Sequence, residues 1–186
     1  IPESVYTSLI EEVGRGITVL SEYLRYRKEK LGVSELCMYD LYTPLVFEDE
    51  SEIPFERACE IVLEAVKPLG EQYVSDMKRA FSEGWIDVYE NRGKTPGAYS
   101  WGDNIHHPFV LLNYQGKLED VFTLAHEMGH AMHSYYTNKT QDSIYRDYKI
   151  FVAEVASTVN ENLLLEYLLR DASGERREYL LGRRLC

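Results

Sequence analysis

The chain has 186 residues, of which 45% are hydrophobic and 27% charged, a composition that is ordinary for a folded globular protein. Its formal net charge is −11, which argues against a nucleic-acid partner because such a partner needs a basic surface. No apolar run approaches the roughly 20 residues that cross a bilayer, and no signal peptide is recognisable, so we expect no membrane association. The cysteines Cys37, Cys59 and Cys186 lack paired spacing and indicate reduced thiols, so we predict a cytoplasmic protein.

The first part of the chain is predicted to be helical. Apolar positions recur at helical spacing in four segments, the first two separated by Gly14 and Gly16, and Pro54 opens the third. These four predicted helices cover residues 3–13, 16–30, 54–66 and 69–82. The connection 33–53 is predicted to be extended, with its acidic segment 48–52 a solvated loop.

The middle of the chain changes to β-forming residues, and the last third returns to helical patterns. Three short strands are predicted at 85–89, 98–101 and 108–114. Three helices are predicted at 118–136, at 144–170 and from Gly174 onward. The sequence therefore predicts a mainly α protein with a small β-sheet, in one core of three portions: 1–83 helical, 84–116 the sheet, 117–186 helical.

The helix predicted at 118–136 carries the motif His-Glu-Met-Gly-His at 126–130. A helix advances about 100° per residue, so His126 and His130 lie one turn apart on one face and can reach one zinc ion. Glu127 lies beside them and can serve as general base toward a metal-bound water. Gly129 costs a helix interior about 1 kcal/mol relative to alanine, which predicts a close approach there by substrate or a neighbouring strand.

A catalytic zinc site needs a third protein ligand, and Glu154 is the candidate. It is the single charge in the apolar run 150–159, which predicts a second, buried helix on which a carboxylate must be paired, protonated or metal-bound. An ion pair with an arginine is the alternative. Glu161 lies about 700° further on, near the same face, and is predicted to orient a ligand histidine. His133 lies too far along the axis to be a ligand, so it has a substrate-side or a structural role.

Several segments together resemble one peptidase family. They are G-A-Y-S at 97–100, H-P-F-V-L-L-N-Y-Q-G at 107–116, F-T-L-A-H-E-M-G-H-A-M-H-S at 122–134 and F-V-A-E-V-A-S-T-V-N-E at 151–161, with M-Y-D-L-Y-T-P at 38–44. In combination they resemble oligoendopeptidase F, a family of thimet-oligopeptidase-like zinc metallopeptidases. The resemblance implies a zincin-like catalytic core with one Zn²⁺ held by His126, His130 and Glu154, and with Glu127 as the catalytic glutamate.

The resemblance also implies short peptide substrates and a longer chain than this one. Family members are about three times as long, and a later His/Tyr-rich segment of theirs binds substrate and stabilises the oxyanion. Nothing in 162–186 matches that segment, so the sequence is interpreted as the central catalytic-core segment, with the rest of a longer chain missing. Within it, the candidate substrate-binding residues are Tyr99, His107, His133 and Tyr136, and His106 is a further candidate for binding the oxyanion.

Two other interpretations stay open at this point. The segment could bind zinc without hydrolysing peptides, because part of the cleft is absent. It could also be a non-enzymatic helical interaction module, since a bare H-E-x-x-H pattern also arises by chance.

Overall fold

The computed structural model describes residues 2–46, 51–103 and 105–183, so the acidic residues 48–50 and Cys186 lie outside the described residues. The helices are α1 (Glu3–Leu31), α2 (Phe55–Ala65), α3 (Glu71–Ser82), α4 (Leu118–Thr140), α5 (Ile150–Leu169) and α6 (Gly174–Arg183). The strands are β1 (Ile86–Asp87), β2 (Tyr99–Trp101) and β3 (Phe109–Leu111). The chain divides into two compact units, one of residues 1–48 with 181–186 and one of residues 49–180.

In the first unit, α1 is one continuous helix, so the predicted break at Gly14 and Gly16 is wrong. An interior glycine lowers helix stability by about 1 kcal/mol but does not by itself end a helix. The helix ends where Gly32 adopts a left-handed conformation with φ 67°. The connection predicted as extended contains a short 3₁₀ helix, Met38–Tyr42. The buried Arg27 secures this segment by donating to the carbonyls of Asp40 at 2.7 Å and Thr43 at 2.6 Å.

The second unit contains the predicted small sheet, in the order β1-β3-β2. β1 is parallel to β3, pairing Ile86 with Val110, and β2 is antiparallel to β3, pairing Ser100 with Val110. The strands are shorter than predicted, yet Tyr114 N still donates to Val88 O at 3.0 Å beyond the assigned bounds. Because β3 is the central strand, β2 lies at an edge of the described sheet.

Helices α4 and α5 form the most extensive contact between elements of this unit. α4 continues four residues past its predicted end, and α5 begins at Ile150 rather than 144 because a 3₁₀ turn, Ser143–Tyr145, precedes it. The core of this unit lies around α4. Three of its fully buried side chains, Leu124, Met128 and Met132, come from α4, and neighbouring segments contribute Met77, Leu112 and Leu164. No helix among the described residues is both long enough and apolar enough to cross a membrane.

The burial of α5 differs from the prediction. Its second half packs in the core through Leu164 and Leu165, but Phe151 is 65% and Val155 57% exposed in the first half. Glu154 is exposed as well, with 58% of its side chain accessible. A run that is apolar on every face has no periodicity to indicate which face is packed, so the inference of a buried Glu154 was wrong.

Candidate metal centre

His126 and His130 project from one face of α4, as their spacing predicts. Their Nε2 atoms lie 3.1 Å apart, and the two rings meet edge to face at 82°. The helix that carries them begins at a cap: Asp120 Oδ2 accepts hydrogen bonds from the backbone N–H groups of Gln115 at 3.0 Å and Lys117 at 2.8 Å. This cap pairs N–H groups at and just before the helix start and fixes where α4 begins.

Glu154 reaches the same point from α5. Its Oε2 lies 3.4 Å from Nε2 of His126 and 3.4 Å from Nε2 of His130. Ligand atoms held about 2.1 Å from a tetrahedral zinc ion lie about 3.4 Å from one another. The observed triangle of two imidazole nitrogens and one carboxylate oxygen has these dimensions. The donor set therefore fits a zinc ion, and no other group of metal-binding side chains is found in the part of the chain that the structure describes.

Glu161 contacts the other nitrogen of the His126 ring. Its Oε1 is hydrogen-bonded to His126 Nδ1, the contact predicted for a residue that orients a ligand histidine. An ionised carboxylate accepts only, so Nδ1 carries the proton and Nε2 presents its lone pair toward His130 and Glu154. Burial lowers the pKa of His130 from its ordinary value, which favours the neutral ring that binds metal.

Glu127 follows His126 on α4 and is buried, with 7% of its surface exposed. Its Oε2 is buried and has no hydrogen-bond partner among the described residues. Burial raises the pKa of Glu127, the electrostatic interaction with His126 lowers it and that with Glu154 raises it, with a net upward shift. A carboxylate with an unpaired buried oxygen and a raised pKa is more ready to accept a proton than an ordinary glutamate.

Gly129 lies where α5 crosses α4. A Cβ atom added at this position would lie 2.5 Å from Ser157 Cα and 2.7 Å from the carbonyl oxygen of Ala156. The close approach predicted from the glycine is therefore present, but the neighbour is a helix and not a strand or substrate. Because no side chain separates the helices here, Glu154 and Glu161 on α5 come within reach of the histidines on α4.

Two polar residues at this crossing were not predicted from the sequence. Ser157 is fully buried, and its Oγ donates to Glu154 Oε2 at 2.8 Å. Asn160 is 1% exposed, donates to the Ala125 carbonyl at 3.1 Å and accepts from the Tyr73 hydroxyl at 3.1 Å. The available signal was their place in an otherwise apolar run, since a buried polar side chain needs a partner.

Two of the predicted substrate-binding residues have surroundings that leave the prediction open. Tyr99 is half-exposed on the edge strand β2. His133 stacks on Tyr148 with ring centroids 3.9 Å apart, and its Nδ1 is buried without a hydrogen-bond partner in the described ranges. Burial lowers the pKa of His133, followed in effect by the charge of His130.

The other candidates, His106, His107 and Tyr136, contact residues that are not part of the metal-binding triad. His107 stacks on Trp85 with ring centroids 4.9 Å apart, and His106 pairs with Asp103 at 2.7 Å. The Tyr136 hydroxyl donates to Asp76 at 3.0 Å. These contacts hold the local fold together, and the substrate-binding role of the three side chains stays a prediction.

Comparison with known proteins places this chain in a family. The profile of Peptidase family M3 matches residues 1–181, so the chain belongs to peptidase family M3. It is 45% identical over 186 residues to oligopeptidase PepF of Bacillus subtilis strain 168. That alignment covers 100% of this chain and 28% of the relative. It is also 45% identical over 181 residues to chromosomal oligoendopeptidase F of Lactococcus lactis subsp. cremoris, covering 97% of this chain and 30% of the relative.

Solved structures agree with the family assignment. The crystal structure of oligoendopeptidase-F from Enterococcus faecium matches 99% of this chain and 25% of its own, at 34% identity and a TM-score of 0.61. A crystal structure from Chlamydophila abortus matches 100% of this chain and 31% of its own, at 39% identity and a TM-score of 0.88. The chain thus spans less than a third of the length of the relatives it matches, and the zincin-like fold class predicted from the sequence is confirmed.

Proposed function

We propose that the protein containing this chain is a zinc-dependent endopeptidase that hydrolyses short oligopeptides. The observation that carries the proposal is the convergence of His126, His130 and Glu154 beside Glu127, whose buried Oε2 lacks a partner among the described residues. The names of the relatives, oligopeptidase and oligoendopeptidase F, support peptides as the substrate class. The free thiols of Cys37 and Cys59 support a cytoplasmic location.

His126, His130 and Glu154 would hold the zinc ion. When bound there, zinc polarises the scissile carbonyl and makes a water molecule more acidic. Glu127 accepts the proton of the attacking water and delivers it to the leaving amine, so one carboxylate acts first as base and then as acid. Glu161 keeps His126 in the tautomer whose Nε2 is free to bind metal.

The edge strand β2 supports a mode of substrate binding. Its inner side pairs with β3, and the described sheet has no strand on its outer side. An extended peptide can add to such an edge through main-chain hydrogen bonds. Because these bonds do not involve side chains, they suit peptides of many different sequences. Tyr99 and Trp101, 51% and 56% exposed, alternate with Ser100 on this strand and would flank the added peptide.

The test is to replace Glu127 with Gln in the natural full-length protein. Zinc content should stay at that of the unmodified protein, because Glu127 is not a ligand, and peptide turnover should fall by about 10²–10⁴-fold with loss of the general base. His130→Ala is the matched variant in the same helix and should lose zinc as well as activity. Undiminished turnover by Glu127→Gln would remove Glu127 from the reaction.

A second candidate function applies to the chain alone. Because it spans only 28% of its Bacillus relative, it could bind zinc yet lack the groups that hold the substrate and the oxyanion. Zinc binding without peptide turnover by residues 1–186, alongside turnover by the full-length protein, would support this candidate. A folded chain that takes up no zinc would instead favour the non-enzymatic interaction module.

A further inference from the structure

We propose that Ser157 is a positioning residue that holds the Glu154 carboxylate in its metal-binding orientation. The inference rests on the proposed function, since it concerns the same zinc ion. Ser157 lies outside the H-E-x-x-H motif, and its effect is separable from that of the ligands.

One oxygen of Glu154 carries the contact. Ser157 Oγ lies 2.8 Å from Glu154 Oε2, the same atom that is 3.4 Å from both histidine Nε2 atoms. The hydroxyl also lies 3.0 Å from the Glu154 main-chain carbonyl, and its single proton can serve one acceptor at a time. A charged carboxylate forms the stronger hydrogen bond, so the proton goes to Oε2 when Glu154 is ionised.

Glu154 needs such a restraint because the packing within this chain leaves it exposed. With 58% of its side chain accessible, little packing restricts its rotamers, and fixing a glutamate side chain costs up to about 2 kcal/mol in conformational entropy. Within the described ranges, Ser157 is the one hydroxyl that hydrogen-bonds this carboxylate. It therefore orders the ligand before the ion arrives.

Ser157 is itself tightly packed. It is fully buried, and its Cα lies in the gap left by the absent side chain of Gly129. The donor is thus fixed relative to α4, the helix that carries both histidines. A hydrogen bond from this position sets the Glu154 oxygen relative to His126 and His130, rather than relative to α5 alone.

The next residue provides a matched control. Thr158 is exposed, and its Oγ1 also returns to α5, but only to main-chain carbonyls: Glu154 O at 2.6 Å and Val155 O at 3.4 Å. Thr158→Ala therefore removes a hydroxyl that bonds to the helix backbone, without removing a contact to the carboxylate.

The experiment measures zinc affinity by competition with a chromogenic chelator, using the natural full-length protein. Ser157→Ala should raise the zinc dissociation constant by about 10-fold, the lower end for residues that orient metal ligands. Thr158→Ala should leave it within about twofold. Thermal unfolding of the metal-free proteins is measured in parallel, because a purely structural hydroxyl would change stability and leave zinc affinity as it was.

A double-mutant cycle decides the route of the effect. In a Glu154→Ala background, Ser157→Ala should cause no further loss of zinc affinity. An equal loss in both backgrounds, or no loss in either, would overturn the assignment of Ser157. Failure of the proposed function looks different: the unmodified protein would bind no zinc, or His126→Ala and His130→Ala would bind it as tightly as the unmodified protein.

Discussion

At the scale of single residues, Glu161 is hydrogen-bonded to Nδ1 of His126, and we propose that this contact leaves Nε2 to face the metal. Replacing Glu161 with Ala leaves Nδ1 without its acceptor, so the ring can turn or change tautomer. We expect Glu161→Ala to weaken zinc binding by about 10–100-fold, measured by chelator competition. Asn162→Ala is the control, because Asn162 is exposed and donates to Thr158 O of its own helix. Equal affinities for the two variants would show that Glu161 does not orient the ligand.

The spacing along one helix predicts that His126 and His130 share a face of α4 with Glu127 beside them, because helical geometry alone brings these residues together. Glu161 was predicted by the same periodicity on the next helix. Ser157 was not, because a serine at that place in a helix bonds equally well to its own backbone. Its contact with Glu154 depends on side-chain rotamers, which the sequence does not specify.

At the scale of elements, the α4–α5 crossing depends on Gly129. A methyl group there would meet Ser157 Cα at 2.5 Å, so Gly129→Ala should force the helices apart. We expect a loss of about 1–3 kcal/mol in the free energy of unfolding, measured by urea denaturation, together with weakened zinc binding. The overpacking outweighs the gain of up to about 1 kcal/mol in helix propensity.

Gly14→Ala is the matched control for this prediction. Gly14 also lies inside a long helix, but nothing lies within 4 Å of an added Cβ atom. It should therefore stabilise α1 by about 0.4–1 kcal/mol. A stabilising Gly129→Ala would mean that the crossing yields without cost.

Local sequence predicted which elements form better than where they begin or which face they bury. The glycines of α1 were read as a break, although their cost is small against a helix running from Glu3 to Leu31. The first half of α5 was read as buried, although Phe151 and Val155 are exposed. Which apolar face is packed depends on what the rest of the chain places beside it, and that information is not local.

At the scale of the whole molecule, the buried Asp76 makes stability depend on pH. Burial alone would raise its pKa, but hydrogen bonds from Gln72 and Tyr136, with the charge of Lys139, give a net lowering. A carboxyl whose folded pKa lies below its unfolded value stabilises the fold fully above the unfolded pKa, about 3.9. This contribution is lost as the pH falls through the lower, folded pKa.

We therefore expect Asp76→Asn to unfold more easily than the unmodified protein near pH 7, by about 1–3 kcal/mol, because it weakens a hydrogen-bond network between α3 and α4. The difference should shrink as the pH falls below the unfolded pKa, as followed by urea unfolding at a series of pH values. Glu60→Gln, which removes an exposed ion pair with Arg57, should change stability by less than about 1 kcal/mol. A difference for Asp76→Asn that grows toward acid pH would contradict the sign of the shift.

The contact between Gly129 and Ser157 also has a mechanical consequence. It would act as a pivot if α5 tilted, because Glu154 lies three residues before it on α5 and Glu161 four residues after, about 4.5 Å and 6 Å along the axis. A tilt of α5 by 10° about this point would move either carboxylate by only about 1 Å, and in opposite directions. Both glutamates therefore lie close to this contact. A tilt of α5 would displace their carboxylates less than it would displace the exposed end of the helix.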